Sequence, residues 1–260
     1  MRYLRFVLLV TAAALSSACF QFSTIVTLKP DGSGTIDQRL LFSQAAVAQL
    51  RQFAGPNGGG DFDPVSEQQA RDGAGALGQG VTYVSSTPIN SAEGVGRTIT
   101  YAFTDINMLR LDQAPPPPGG VPAPQSAGAE PRVSFKFARQ ANGNALLTIG
   151  MPQLPALGGD PSQPTGGPTA DQLAMIKPML AGAHLSIGIE PVGKIVRTSS
   201  PYVTGNRVIL LDVSVDALFA DPTLLQRLQS AKTPDEAKII LKDVPGLKAN
   251  LDPELTIEFQ

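Results

Sequence analysis

The longest clean alternation of apolar and polar residues runs from Ala183 to Asp216. Leu185, Ile187 and Ile189 fall on one face at period two, as do Ile209, Leu211, Val213 and Val215, so the spacing predicts two strands, each with one face committed to a core. Together they form a hairpin. Its connection is irregular, with Gly193, Pro201 and Gly205, and the tip 203–206 puts Gly205 and Asn206 where a turn needs positive φ. A slip of one residue would turn the apolar set to water, which fixes the register.

The same alternation recurs along the chain. Residues 20–29 and 35–42 flank Pro30-Asp31-Gly32-Ser33-Gly34, which predicts a strand, a plain Asp-Gly turn and a strand. Residues 81–88 and 97–103 make the next pair, with Ile99, Tyr101 and Phe103 on one face. A hairpin over 132–138 and 145–151 sets Val133, Phe135 and Phe137 against the same core as Leu147, Ile149 and Met151. Leu255, Ile257 and Phe259 mark a last strand.

Helical spacing lies between the hairpins. Ser43 caps a helix to about Phe53, and 64–77 is a second helix weakened by Gly73 and Gly75. Thr104 or Asp105 caps a short turn through Leu109. Thr169 opens a helix to about Leu180, kinked at Pro178. Residues 222–230 and 234–242 follow, each opened by Asp or Thr before proline. Hairpins with helices inserted between them predict an α+β fold, an antiparallel sheet packed against several helices. The stretches at about 114–131 and 152–168, rich in Pro and Gly, are loop insertions within a single domain spanning 19–260.

The first residues carry a different signal. Two arginines, an apolar run over 6–15 and small residues at 16–18 have the layout of an export signal peptide covering 1–18, and the apolar run is about half of the roughly 20 residues that span a bilayer. Cys19 is the only cysteine, so no disulfide accounts for it. The junction resembles the lipobox of bacterial lipoproteins, with the usual leucine one place early at Leu15 and Ser16 in its position. That resemblance implies that Cys19 is acylated by chains such as palmitate; an ordinary secretory signal cut after Ala18 is the alternative. Phe20, rather than aspartate, follows the cysteine, which in lipoproteins implies the outer membrane where the source is Gram-negative. Strand character starts immediately after Cys19, leaving no tether, so the domain lies close to the membrane.

Charge and residue counts narrow the function. Lys and Arg total 20 against 22 Asp and Glu, dispersed along the chain, which leaves no basic patch for nucleic acid. His184 is the only histidine, so a Ser-His-Asp or Cys-His arrangement would rest on it alone; its place beside Leu185 at the start of a strand predicts an exposed edge or a helix-strand junction instead. No HExxH or paired CxxC stands in the chain, so no metal and no cofactor is expected. Asp212 and Asp216 straddle the end of a strand and are read either as an acid-base pair or, for Asp216, as the cap of a helix through 217–219. Lys194 and Arg197 are solvated loop charges, with lipid headgroups as their functional alternative.

Residues 22–42, with Thr-Ile-Val-Thr-Leu-Lys-Pro-Asp-Gly-Ser-Gly-Thr-Ile, and 193–211, with Gly-Lys-Ile-Val-Arg-Thr-Ser-Ser-Pro-Tyr-Val-Thr-Gly-Asn-Arg-Val-Ile-Leu-Leu, resemble the bacterial LppM-type lipoprotein domains and related envelope lipoproteins. The resemblance fades across 55–168. It implies small antiparallel sheets packed on helices and a lipid-facing cavity for an envelope lipid or glycolipid, and it carries over no catalytic residue. The expectation is a lipid-anchored envelope protein that binds an apolar or amphiphilic ligand or a membrane-protein partner, and is not an enzyme. A hydrolase using carboxylates such as Asp212, and a purely structural envelope component, are the alternatives.

Overall fold

The computed structural model describes residues 20–48, 63, 65–112, 132–152, 182–221, 223–231 and 233–260. The strands in chain order are β1 (Phe20–Leu28), β2 (Gly34–Phe42), β3 (Val81–Asn90), β4 (Val95–Phe103), β5 (Leu111–Asp112), β6 (Arg132–Arg139), β7 (Ala145–Gly150), β8 (His184–Pro191), β9 (Ile195–Thr198), β10 (Val203–Thr204), β11 (Arg207–Ser214), β12 (Lys248–Ala249) and β13 (Glu254–Phe259). The helices are α1 (Glu67–Ala76), α2 (Val215–Ala220), α3 (Leu224–Ser230) and α4 (Pro234–Lys242), with a helical turn over 44–48 and a 3-10 turn at Ile106–Met108. The fold is α+β, as the hairpin pattern predicts.

Two sheets share one core. The larger runs β10-β11-β8-β1-β2-β4-β3, with β12 on β11, and the smaller runs β5-β6-β7-β13-β9. Phe22, Val26 and Leu28 of β1 and Ile36 of β2 belong to the same buried cluster as Val133, Leu147, Ile149, Ile257 and Phe259 of the smaller sheet. Burying each such side chain contributes roughly 1.5–3 kcal/mol, which makes this cluster the main stabilising feature. The predicted hairpins β1/β2, β3/β4 and β6/β7 all form. Phe137 lies beneath the turn of the first hairpin, 3.1 Å from where a Cβ on Gly32 would stand, and Ile106 N–H donates to the Gly32 carbonyl at 2.9 Å. The 3-10 turn, capped by Asp105, thereby joins the two sheets.

The structure corrects the predicted strand pairing and turns in four places. First, the large sheet is mixed: β1 pairs with β2 antiparallel but with β8 parallel, from Gln21↔His184 to Leu28↔Pro191. Period-two alternation is the same whichever way a strand runs, so it carries no information on direction. Second, the connection between β8 and β11 is not a simple loop: β9 leaves for the smaller sheet to pair with β13, and β10 returns to pair with β11. Third, β8 and β11 are antiparallel as expected, yet a bulge between Ile209 and Leu211 adds Leu210, which is buried in the core with Val208, and the alternation resumes one place later at Leu211, partly buried against the core, and Val213. Fourth, Gly205 takes φ +61° but Asn206 stays at negative φ; its amide instead donates to the carbonyls of Pro191 and Gly193.

The helix starts follow from their caps. Ser66 accepts from Gln69 N–H while the Gln69 side chain accepts from Ser66 N–H, so α1 begins just after this capping box. Ser43 Oγ accepts from Ala46 N–H at 3.1 Å, and Thr233 Oγ1 from Glu236 N–H at 3.2 Å ahead of a proline at the first turn of α4. Asp216 is not a cap: Ser214 takes that position for α2, and the Asp216 carboxylate accepts from Gly182 N–H at 2.9 Å. The predicted helix at 169–180, the insertions at 114–131 and 153–168, the remainder of the helix after 48 and the signal peptide lie outside the described residues.

The outermost strands are poor templates for further pairing. β3 has a bulge that turns Val84 outward and a proline at 88, β9 has four residues and a bulge at Val196, and β5 and β10 have two residues each.

Candidate functional site

A cavity of about 180 Å³ opens between α4, β12 and residues 201–202. The sequence builds it from both sides. On α4, Ala237 is buried, and Lys238, Leu241 and Lys242 line the cavity. Opposite, β12 is held to β11 by Leu211↔Ala249 pairing and by Asn250, whose N–H donates to the Leu210 carbonyl at 2.9 Å and whose side chain donates to the Ile209 carbonyl at 2.5 Å. Tyr202, Leu247, Ala249 and Leu251 complete an apolar lining. The polar rim is nearly balanced, because Lys238 Nζ sits 3.4 Å from Asp235 and 3.6 Å from Asp252, while Lys242 is exposed. Such a space holds a short apolar group beside a few charges. It is smaller than the usual ~300–1,000 Å³ of small-molecule sites.

His184 and Asp212 form the second constellation. His184 Nε2 lies 2.6 Å from Asp212 Oδ1, and Lys248 Nζ lies 3.6 Å from Asp212 Oδ2, which links β8, β11 and β12 through one carboxylate. The strand pairing places them: Asp212 opposes Ser186 and Lys248, while His184 opposes Ser214, so the histidine and aspartate are diagonal neighbours on one face. Asp212 and Asp216 have separate partners, His184 and Lys248 for the first and the Gly182 N–H for the second. Among the described residues no serine or threonine hydroxyl bonds the His184 ring. The diagonal was readable only from the register, which the bulge at Leu210 hides.

Lys194 and Arg197 separate in the structure. Lys194 exchanges two backbone hydrogen bonds with Gln260, at 2.9 and 3.1 Å, and its side chain is exposed. Arg197 is not a loop charge: it stands on β9 and its guanidinium reaches Glu258 at 3.3 Å. Glu258, whose side chain is only 10% exposed, also accepts from Asn144 at 2.7 Å and Asn142 at 3.3 Å. The Asn144 bond, with those of Asn142 and Arg197, outweighs burial and holds its carboxyl below the ordinary value. Sequence reasoning missed this cluster, although the alternation of Glu258 with Ile257 and Phe259 marks it as a strand residue.

Cys19 lies outside the described residues. Among the described residues no group of three or more His, Cys, Asp or Glu side chains is placed to hold a metal ion, and no helix is long and apolar enough to cross a membrane.

No protein-family model matches the chain, and no curated protein matches it. Among solved structures it is similar to the NMR structure of the folded domain of LppM from Mycobacterium tuberculosis, with 11% identity over 95% of this chain and 92% of that one and a TM-score of 0.34, a weak structural relationship.

Proposed function

We propose that this chain is a lipid-anchored protein of the bacterial cell envelope, in the outer membrane where the source is Gram-negative, and that it binds an apolar or amphiphilic ligand without catalysing a reaction. The observation that carries the binding is the cavity lined by Leu241, Leu247, Ala249, Leu251 and Tyr202 with lysines at its rim. Its volume favours a ligand gripped by one end, a short acyl segment or a ring, with the remainder outside. The anchor is supported by the signal layout and the unpaired Cys19. A Ser-His-Asp arrangement is disfavoured because the single imidazole, held by Asp212, has no hydroxyl partner among the described residues.

The test is native mass spectrometry of the full chain extracted gently from its own cells, alongside Leu247→Asp and Cys19→Ser variants. Wild type is expected to carry an additional bound mass that Leu247→Asp loses without a change in Tm. Cys19→Ser is expected to leave the membrane fraction and to incorporate no labelled fatty acid. A wild-type chain with no bound mass overturns the binding reading, and a Cys19→Ser chain still held by membranes overturns the anchor.

A further inference from the structure

β1 runs away from Phe20 for nine residues, so Leu28 lies about 26 Å from the start of the strand at ~3.3 Å per step. At that remote end three exposed valines accompany lysines. Val192 is 46% exposed, Val196 48% and Val203 42%. Lys194 is exposed and enters no ion pair among the described residues, and the exposed Lys29 lies beside Asp31, whose carboxyl the Ser33 hydrogen bonds, helped by the Lys29 charge, hold below the ordinary value. The neighbouring acids are already engaged: Glu190 by Arg207 at 2.9 Å, Glu258 by Arg197 and the two asparagines, and Asp31 by the Ser33 N–H and hydroxyl. The Arg197 side chain remains 79% exposed despite its partner.

The backbone beneath these side chains is fixed. Val192 N–H donates to the Leu28 carbonyl at 2.7 Å, and the Asn206 amide bonds the Pro191 and Gly193 carbonyls. Gly193 packs so closely that a Cβ would stand 2.0 Å from the Gln260 carbonyl oxygen. Small apolar side chains among exposed lysines, on hydrogen-bonded turns and short edge strands, are suited to the headgroup zone of an anionic bilayer.

We infer that this end of the large sheet is a second membrane contact that docks on anionic lipid headgroups, so that the domain lies along the bilayer with its anchor at one end and this patch at the other. The flat orientation rests on the reading of Cys19 as the anchor; the docking does not. The patch alone is weak. A tether raises its effective concentration to the millimolar range, where a weak contact is sufficient to set orientation. Addition of a partner's strand is disfavoured, because β10 has two residues and β9 four with a bulge.

The test has two arms, both on the full chain. Cys19→Ser protein is sedimented with phosphatidylcholine vesicles with and without phosphatidylglycerol. Binding is expected only with phosphatidylglycerol, weakened about fivefold by Lys194→Gln and about thirtyfold by Lys194→Glu, and reduced by salt. Lipidated protein carrying a dye through Thr204→Cys is expected to be quenched by headgroup-level quenchers, and Lys194→Glu is expected to relieve the quenching. Equal sedimentation with both vesicle types, or an unchanged Lys194→Glu with an unchanged Tm, overturns the docking. Stronger retention on immobilised polyglutamate than on phosphatidylglycerol vesicles makes an acidic polypeptide the partner and also overturns it. A wild-type chain that takes up no labelled fatty acid overturns the flat orientation alone, because the vesicle arm does not use the anchor.

Discussion

Arg97 donates from Nε to the backbone carbonyl of Val65 at 2.7 Å, which ties strand β4 to the segment that leads into α1. The residue is 6% exposed, and its other nitrogens reach Ser86 Oγ at 2.9 Å and Asp63 at 2.5 Å. Arg97→Met leaves a buried carbonyl without its donor and Asp63 without its cation. Asp63 is partly open to water, which limits the loss, so the expected destabilisation is about 2–4 kcal/mol, read by urea unfolding. Arg97→Lys, which offers one donor group instead of a fork, is expected to recover less than half of it.

The two glycines of α1 are not equivalent. A Cβ on Gly75 meets nothing within 4 Å, so Gly75→Ala is expected to stabilise by about 0.5–1 kcal/mol through helix propensity. A Cβ on Gly73 stands 3.0 Å from the hydroxyl oxygen of Tyr101, which donates to the Ala70 carbonyl at 2.8 Å. Gly73→Ala is therefore expected to lose that gain in the wild type and to show it in a Tyr101→Phe background. Thermal melts of the four proteins decide the matter.

Burial pushes the Tyr101 hydroxyl up to about 12 from 10.0. The neutral phenol is the form that the fold favours, so its contribution is complete below pH 10 and is lost as the pH rises through about 12. Ultraviolet titration is expected to show a late phenol ionisation that coincides with alkaline unfolding, and that late step is expected to vanish in Tyr101→Phe.

Much of this fold was legible because local chemistry and tertiary structure agree. The Asp31-Gly32 turn, the Ser43 and Thr233 caps and the alternation of β6 with β7 each point to the element that forms. The parallel pairing of β1 with β8 was not legible, since alternation is indifferent to direction, and Leu210 was not, since one inserted residue resets the phase. β12, with two residues, is too short to show a period, yet it forms a wall of the cavity. Arg97 was available to inspection: it shares parity with Ile99, Tyr101 and Phe103, so its core-facing position followed from the pattern already in hand.

Glu258 fastens the 140–144 turn to β13 through Asn144 and to β9 through Arg197. Its carboxyl is held below 4.5 chiefly by the Asn144 bond, so the stability it gives is present above that value and is lost as the pH falls through the lowered one. Asn144→Ala is expected to bring the Glu258 titration back towards 4.5 and to move the acid unfolding midpoint upward. NMR titration of the Glu258 side chain checks the first, and circular dichroism against pH checks the second. An unmoved titration would assign the shift to Asn142 and Arg197 instead.

Asp212 separates binding from hydrolysis. Its carboxylate spans His184 and Lys248 on a partly solvated face, where ion pairs contribute roughly 0–1 kcal/mol, so Asp212→Asn is expected to lower stability by less than about 1 kcal/mol. An amide retains an acceptor for Lys248 but ends general-base chemistry. A binding protein is therefore expected to keep its bound mass in Asp212→Asn, whereas a hydrolase working through this carboxylate would fall by orders of magnitude in turnover of envelope polymers. The cavity and the His184–Asp212 pair are joined through β12, whose Ala249 lines the cavity while Lys248 reaches Asp212. Lys248→Ala provides the control: it frees one side of Asp212 without touching the imidazole. Retention of ligand by both variants, with no polymer cleavage by the wild type, is the outcome expected of a binding module; cleavage by the wild type that Asp212→Asn abolishes would reverse the assignment.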